Sequence, residues 1–451
     1  MKKYDVIIIG AGPAGIITGV TAKKCNPDKS MLMFKEEEKG LVPCGIPYIF
    51  HRLNSVEKNV MGPKPFLDLG GEVVQDTIVD VDVENKVVKT VAGDEYSYDK
   101  LVFATGSKPV VPTFIKGYDL NNIFYIKKSY NYITKLFAEI QDIKNIVVVG
   151  GGFIGAEVAE QLSLQPNKVV SLVEAEANCF SKAFSSRLSK MATDTLNSTP
   201  VNLFTSKMVK EIKGEDGNVS SVLLSDGTEI KADVVIMAIG YKPNTELAAK
   251  AGLEINKMGA IVTDNYERTI VKDVCAVGDC SSTTGFLTGA MDYVMLASTA
   301  TAEARVLGHN LFGVKIKKNF NGTLAVFSTE IKGIAFASAG LNDTNAGPVN
   351  IEYISATFAD VDRHPGTIDD TSSLSVTLFA SPVDGAILGG EVTGGKSAAE
   401  IVNIISLAIQ KGVTVFELMS FQLGTHPLLT GAPTKPALIK AAEMIICEMQ
   451  K

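Results

Sequence analysis

One nucleotide-binding pattern occurs twice in this chain, and that duplication limits its fold more than any other feature. Tyr4-Asp-Val-Ile-Ile-Ile-Gly10 is a short apolar run that reads as a buried parallel strand. It runs directly into Gly10-Ala-Gly12-Pro13-Ala14-Gly15, a helical pattern through Lys24 and a second strand, Met31–Phe34. The device returns as Asn145-Ile-Val-Val-Val-Gly150, then Gly150-Gly-Gly152-Phe153-Ile154-Gly155, a helix through Leu164 and the strand Val169–Val173. Each copy leads into alternating, turn-punctuated β segments, 73–98 in the first and 201–230 in the second. Each closes on an apolar strand ending in glycine, 101–106 and 234–240. A single G-x-G-x-x-G is weak evidence; two in the same strand–turn–helix context with matching β tails define two dinucleotide-binding units.

The spacing has a physical reason. The first glycine makes the tight turn, the second lets the backbone approach a pyrophosphate, and the third lets helix pack on strand. The phosphates then meet unpaired N–H groups and the positive end of the helix dipole. An acidic residue after the second strand suits a ribose 2′-hydroxyl and repels a 2′-phosphate. Glu174, 19 residues beyond Gly155, fills that place in the second copy and predicts NADH over NADPH. In the first copy Lys35 stands where the acid belongs, so Glu36 is the candidate ribose ligand.

Composition sets the outer bounds. With 451 residues the length suggests about three domains. A net charge of −7 gives no field for nucleic acid or anionic lipid. Six irregularly spaced cysteines suit a reducing compartment better than a disulfide framework. No apolar stretch reaches the roughly 18 residues of a membrane span, and Asp5 with the glycine-rich turn breaks the resemblance of the N-terminus to a signal peptide. A cytoplasmic protein without membrane, nucleic-acid or metal partners is expected.

The stretch Gly40-Leu-Val-Pro-Cys44-Gly-Ile-Pro-Tyr48 sets one cysteine between prolines and glycines shortly after the first unit. Two readings are open from the residues alone: a packed structural cysteine, or a reactive sulfur. Pro47 is compatible with the first turn of a helix whose N–H groups would face the sulfur and lower its pKa from about 8.5. Downstream come Asp273-Val-Cys-Ala-Val-Gly278-Asp279, a helical stretch over 287–311, and from about residue 318 a β-rich part with helices expected at 397–411 and 435–449.

Taken together, the two fingerprints, Ala104-Thr105-Gly106, Ala238-Ile-Gly240-Tyr-Lys-Pro-Asn244 and Cys275-Ala-Val-Gly278-Asp279 resemble the pyridine nucleotide-disulfide oxidoreductase superfamily over essentially the whole chain. The resemblance implies an α/β fold with two Rossmann-like domains and a C-terminal α+β dimerisation domain. FAD would occupy 1–113 with 244–317, NAD 114–243, and dimerisation 318–451. It implies that Asp279 accepts from the flavin ribityl hydroxyls, that Ala104-Thr105-Gly106 passes near the FAD pyrophosphate, that Phe153 shields the flavin and that Glu157 lies near the nicotinamide.

Cys44 narrows the family. Dithiol members carry Cys-x4-Cys, but here Lys39 takes the first position. Cys-Gly-Ile-Pro-Tyr, with Leu296-Ala297-Ser-Thr-Ala300 and the following helix, is similar to the single-cysteine branch: coenzyme A-disulfide reductases, persulfide and polysulfide reductases, NADH oxidases and NADH peroxidases. Tyr48 would line the sulfur pocket. Cys275 and Cys280 also have Cys-x4-Cys spacing, but they bracket the flavin-holding turn and no redox disulfide is expected there. The chain departs from the coenzyme A-disulfide reductases at Pro43, where asparagine is usual, and lacks their upstream serine and an obvious C-terminal tyrosine. Thr425-His426-Pro427 instead resembles the His-Pro of dithiol reductases, implying that His426 enters a partner subunit's site as acid/base. Pro13-Ala14, where peroxidases carry histidine, counts against a peroxidase.

The expected activity is NADH-dependent reduction of a small disulfide, persulfide or polysulfide through FAD and Cys44, in a homodimer with shared sites. The alternative is an NADH oxidase that reduces oxygen with Cys44 cycling through sulfenic acid. A flavoprotein donating electrons to a protein partner would have no need of Cys44.

Overall fold

A computed structural model describes residues 1–396 and 398–451. The chain divides into two compact units, Met1–Lys144 with Ile236–Gly285 and Gly289–Thr323, and Asn145–Val235 with Phe286–Thr288 and Leu324–Lys451. Among the described residues no helix is long and apolar enough to cross a membrane.

In the first unit, Met31–Lys35, Lys2–Ile9, Glu95–Phe103 and Val274–Ala276 run parallel. Their side chains are almost wholly buried on both faces (Ile7, Ile8, Leu32, Met33, Leu101, Val102), which is why they read as unbroken apolar runs. The register sets Ile9 beside Phe103 and Phe103 beside Ala276, so three strands end at one level. Helix Pro13–Cys25 leaves that level and lies against helix Ala297–Asn310, where a Cβ on Gly308 would come within 2.6 Å of Thr21 Cβ.

The helix expected over 287–311 forms only from Ala297. Thr283–Thr284 and Met291–Asp292 instead pair as a short antiparallel hairpin, and Gly289 near its tip has φ +64°, outside helical space. Beyond Cys44, Pro47–Phe50 is a single 3₁₀ turn and not the start of an α-helix; Pro43–Gly45 forms another before it.

The second unit holds the parallel strands Asn145–Val149, Val169–Val173 and Asn202–Phe204, with helix Phe153–Ser163 between the first two. Its other layer is a five-stranded antiparallel sheet, ordered Phe327–Ile331, Ile334–Gly340, Ile387–Gly394, Ser373–Ala380, Ile354–Val361. Helices Ala398–Lys411 and Ala437–Met449 cover it, burying Val402, Ile405, Ile409, Ala441 and Ile445. The expected start of the first of these helices at Ser397 lies outside the described residues.

The turns after the first strand show what the fingerprint glycines do. Gly10 has φ +113°, and a Cβ there would stand 2.2 Å from the Ala104 carbonyl oxygen. A Cβ on Gly15 would stand 2.0 Å from the Gly10 carbonyl oxygen, whereas one on Gly12 meets nothing within 4 Å. Gly15→Ala is therefore expected to lower stability by roughly 2–4 kcal/mol and Gly12→Ala by less than about 1 kcal/mol. Urea unfolding of the two variants, followed by circular dichroism, checks that ordering.

Candidate active site

The three strand ends of the first unit gather most of the residues singled out for FAD. Gly10–Gly15 follows Ile9, Ala104–Gly106 follows Phe103, and Gly278-Asp279 follows one residue after Ala276. The groups touch: a Cβ on Gly278, whose φ is +81°, would lie 2.8 Å from Ala14 Cβ. Pro13 occupies the first helical turn, where its missing N–H costs nothing. Thr105 is committed internally, its hydroxyl donating to the Asn244 carbonyl at 2.6 Å while Asn244 N–H donates to Gly106 O at 2.9 Å. Gly240, with φ +115°, accepts from Val110 N–H at 3.0 Å and ties the same crossover.

Asp279 Oδ2 accepts from Ser107 Oγ at 2.7 Å and from Lys128 Nζ at 2.6 Å, and Lys128 also lies 5.1 Å from the centre of the Tyr241 ring. Gly278, Asp279 and Leu296 line one cleft together with Met258, Tyr293 and Thr299. Ala297 opens the helix beside it. Below the turn, Glu303 Oε2 accepts from Gly278 N–H at 2.9 Å. Burial pushes the carboxyls of Glu303 and Glu267 upward, with Glu303 adding to the rise of Glu267 and Asp279 to that of Glu303. Glu36 is exposed just past the end of its strand, while Lys35 turns away to donate to the Glu38 carbonyl at 2.5 Å.

Cys44 is exposed on a loop whose other residues are fixed. Ile46, Pro47, Ile49 and Phe50 are buried, and Gly40–Leu41 pairs with Val60–Met61. Asn59, itself buried, clamps the turn. Its side-chain amide donates to Val42 O at 3.0 Å, its backbone carbonyl accepts from Val42 N–H at 2.9 Å, and a Cβ on Gly45 would come within 2.0 Å of its Oδ1. Tyr48 is half-buried, with the Arg52 guanidinium 5.9 Å from its ring centre. The sequence reading missed Asn59, because nothing local marks an asparagine 15 residues away as the clamp of this turn.

Cys275 and Cys280 are buried and unjoined, and burial pushes the Cys275 thiol up to about 12 and Cys280 in the same direction. Cys179 is likewise buried and raised to about 12, by burial and then by Glu174. Thiols held protonated are poor nucleophiles. Cys25 and Cys447 are exposed, Cys25 lying 3.3 Å from His309 Nδ1.

In the second unit the corresponding turn is built the same way. Gly150 has φ +107° and donates to Val173 O at 2.8 Å, and a Cβ on Gly152 would meet nothing within 4 Å. Glu174 accepts from Gly151 N–H and, at 2.8 Å, from Glu176 N–H, which brings its carboxylate back to the fingerprint. Gly155 is buried under the helix start and Ile154 half-buried. Phe153 stacks on Phe327 (centroids 5.2 Å, 15°) and meets Phe180 and Phe184 edge-on. Glu157, a turn into the helix, accepts from Thr329 Oγ1 at 2.7 Å, and burial pushes its carboxyl up to about 7.

His426 is exposed in a tight turn: Leu429 and Thr430 N–H both donate to its carbonyl at 3.0 Å, and Leu428 N–H donates to its Nδ1 at 3.2 Å.

The open space before Gly12 and Gly152, each at the start of a helix of more than two turns, is what an approaching pyrophosphate requires, so both turns fit a dinucleotide. The chain belongs to the pyridine nucleotide-disulphide oxidoreductase family. The family model matches residues 4–304, and the model of that family's dimerisation domain matches 326–437. It is an NAD(P)H-dependent oxidoreductase of that family, which implies FAD and a pyridine nucleotide as cofactors. It is 30% identical over 438 residues, 93% of this chain and 94% of the other, to an NADH oxidase of Methanocaldococcus jannaschii. It is 32% identical over 355 residues, 76% of this chain and 77% of the other, to a CoA-dependent NAD(P)H sulfur oxidoreductase of Pyrococcus abyssi. Among solved structures, an NAD-dependent persulfide reductase from A. fulgidus superposes with a TM-score of 0.89 at 27% identity, covering 99% of this chain and 83% of that one.

Glu157 supplies a pH test of the site. Its folded carboxyl keeps its proton to about pH 7, while in the unfolded chain it ionises near 4.5. Between those values the folded state binds more protons, so this group's contribution to stability falls as pH rises through the window. Glu157→Gln cannot ionise and is expected to gain about 1–2 kcal/mol relative to the parent between pH 5 and pH 8, which thermal melts at the two pH values measure.

Proposed function

We propose that this chain spends NADH to reduce a small disulfide, persulfide or polysulfide, with Cys44 as its single redox-active sulfur. The observation that carries the reading is the contrast among cysteines. Cys44 is exposed on a clamped loop, with Lys39 at the place of a partner cysteine, while Cys179, Cys275 and Cys280 are buried with raised pKa values. With lysine at position 39, Cys44 must take its second sulfur from the substrate, forming Cys44–S–S–R as the thiolate displaces a second thiolate.

Bound FAD supplies the two-electron relay between nicotinamide and sulfur. Within 1–113 and 244–317, Gly10, Gly12, Pro13, Ala14 and Gly15 would face its pyrophosphate with Ala104, Thr105 and Gly106 alongside. Glu36 would hold its ribose, Asp279 and Gly278 its ribityl chain, and Leu296 and Ala297 would close the far side. Within 114–243, Gly150, Gly152, Ile154 and Gly155 would cradle NADH, with Gly240 closing the segment, Glu157 near the nicotinamide and Phe153 covering the flavin when no nucleotide is bound. Glu174 would take the ribose hydroxyls and repel a 2′-phosphate, which supports NADH over NADPH. Residues 318–451 would pair two copies of the chain, so that His426 would enter the partner's site as its acid/base. This belongs in the cytoplasm, where low-molecular-weight thiols are kept reduced.

The second reading is an NADH oxidase, favoured by the relatives of that name that align over 92–93% of this chain. There Cys44 would cycle through sulfenic acid and oxygen would be the acceptor.

Anaerobic turnover separates the two. Coenzyme A disulfide or polysulfide is expected to be consumed without oxygen, and Cys44→Ser to slow this roughly a thousandfold or more while still bleaching the flavin with NADH. Full disulfide activity in Cys44→Ser would sink the reading. Glu174→Ala is expected to narrow the NADH-to-NADPH ratio of kcat/KM by about tenfold.

A further inference from the structure

Three consecutive residues of the first unit, Lys128-Ser129-Tyr130, reach three places already described, and the proposed cycle gives none of them a part. Lys128 Nζ donates to Asp279 Oδ2 at 2.6 Å and to Ser107 Oγ at 2.8 Å, beside the turn expected to hold FAD. Ser129 Oγ donates to Glu37 Oε1, and Asn131 N–H donates to Glu37 Oε2 at 3.1 Å. Glu37 follows Glu36, the candidate ribose ligand. The Tyr130 hydroxyl donates to Glu57 Oε1, which also accepts from Lys39 Nζ at 2.7 Å. The Lys39 ammonium lies 5.0 Å from the centre of the Tyr130 ring.

Lys39 and Glu57 stand at the base of the Cys44 loop. Lys39 precedes Gly40–Leu41, and Glu57 opens the 3₁₀ turn that ends on Asn59 and leads into Val60–Met61. Those two short strands pair with each other, but a ladder of this length is a weak closure by itself. The Lys39–Glu57 pair closes the base a second time, and Tyr130 touches both of its members. Within that base Asn59 clamps the backbone on either side of Cys44.

The segment is anchored to a helix. Ser129 caps Tyr130–Glu139, accepting from Tyr132 N–H at 3.2 Å, and Ile133 and Leu136 of that helix are buried. Farther along, the Phe137 ring lies 6.5 Å from that of Phe50, in the turn that follows Cys44. The helix thus meets the Cys44 loop twice, at its base through Tyr130 and beyond the cysteine through Phe137.

We propose that Tyr130 is a positioning residue for Cys44, and that Lys128-Ser129-Tyr130 sets the place of the Cys44 loop relative to the FAD-binding turns. The inference rests on the reading of Cys44 as the redox-active sulfur. One helix start carries bonds to Asp279, to Glu37 and to Glu57, so the loop base cannot shift against the other two without breaking one of them. The bonds lie near the surface and each is modest, so losing one loosens the loop by a several-fold factor and leaves the fold intact.

Alkylation by iodoacetamide in the FAD-loaded enzyme, read cysteine by cysteine with mass spectrometry, tests this. Tyr130→Phe keeps the ring beside Lys39 and removes only the bond to Glu57. It is expected to raise the Cys44 rate about fivefold, while exposed Cys25 and Cys447 move less than about twofold. Lys128→Met, made at the FAD end, is expected to raise the Cys44 rate as well, and the double variant no further than the larger single one, because both break the same path. Glu57→Gln keeps an oxygen for the Tyr130 hydroxyl and should stay within about twofold of the parent, whereas Glu57→Ala should match Tyr130→Phe. A Cys44 rate in Tyr130→Phe within about twofold of the parent overturns the proposal. So do effects of Lys128→Met and Tyr130→Phe that multiply, Glu57→Gln behaving as Glu57→Ala, or an equal rise at all six cysteines, the sign of general loosening. Alkylation requires no turnover, so these results stand apart from full disulfide activity in Cys44→Ser, which defeats the reading of Cys44 instead.

Discussion

The close approach of three strand ends is the constraint on which the first unit depends. Ile9, Phe103 and Ala276 stand side by side, and the chain must leave all three without a side chain filling the space above them. Gly10 passes so close to the Ala104 carbonyl, and Gly15 so close to Gly10, that a methyl group at either would overlap backbone oxygen. A methyl group on Gly278 would likewise crowd the Ala14 Cβ. Because the first two contacts are with backbone and the third is with a methyl group, no rotamer change relieves them, and the helix start is held where its N–H groups face outward. A phosphate-binding geometry thus follows from packing, before any ligand is present.

That explains which parts were legible in the sequence. The fingerprints, the paired apolar strands and the β-rich character of the C-terminal part announce themselves within a few residues, since each depends on local spacing and on burial of one short run. The segment 287–296 did not, because its apolar residues gave a helical impression while Gly289 demands a backbone no helix contains. The 3₁₀ turns at Cys44 were hidden for a related reason: Pro43 and Pro47 are compatible with a helix start, but only the clamp from Asn59 selects tight turns. Lys128 and Ser107 on Asp279, Thr329 on Glu157 and His364 on the His426 turn are pairings across 63 to 172 residues. Sequence periodicity carries no information about contacts of that kind.

Buried acids are the second theme. Glu303 supports the Gly278 amide from below and Glu157 meets Thr329, and in both cases burial shifts the carboxyl toward its neutral form. A neutral acid beside a dinucleotide turn leaves the positive end of the helix for the phosphates, since no second anion competes for it. Asp279 is placed differently: the Lys128 ammonium and the Ser107 hydroxyl both donate to its Oδ2. Carboxyl groups thus meet apolar burial with one hydrogen-bond donor at Glu303 and Glu157, and an ammonium with a hydroxyl at Asp279.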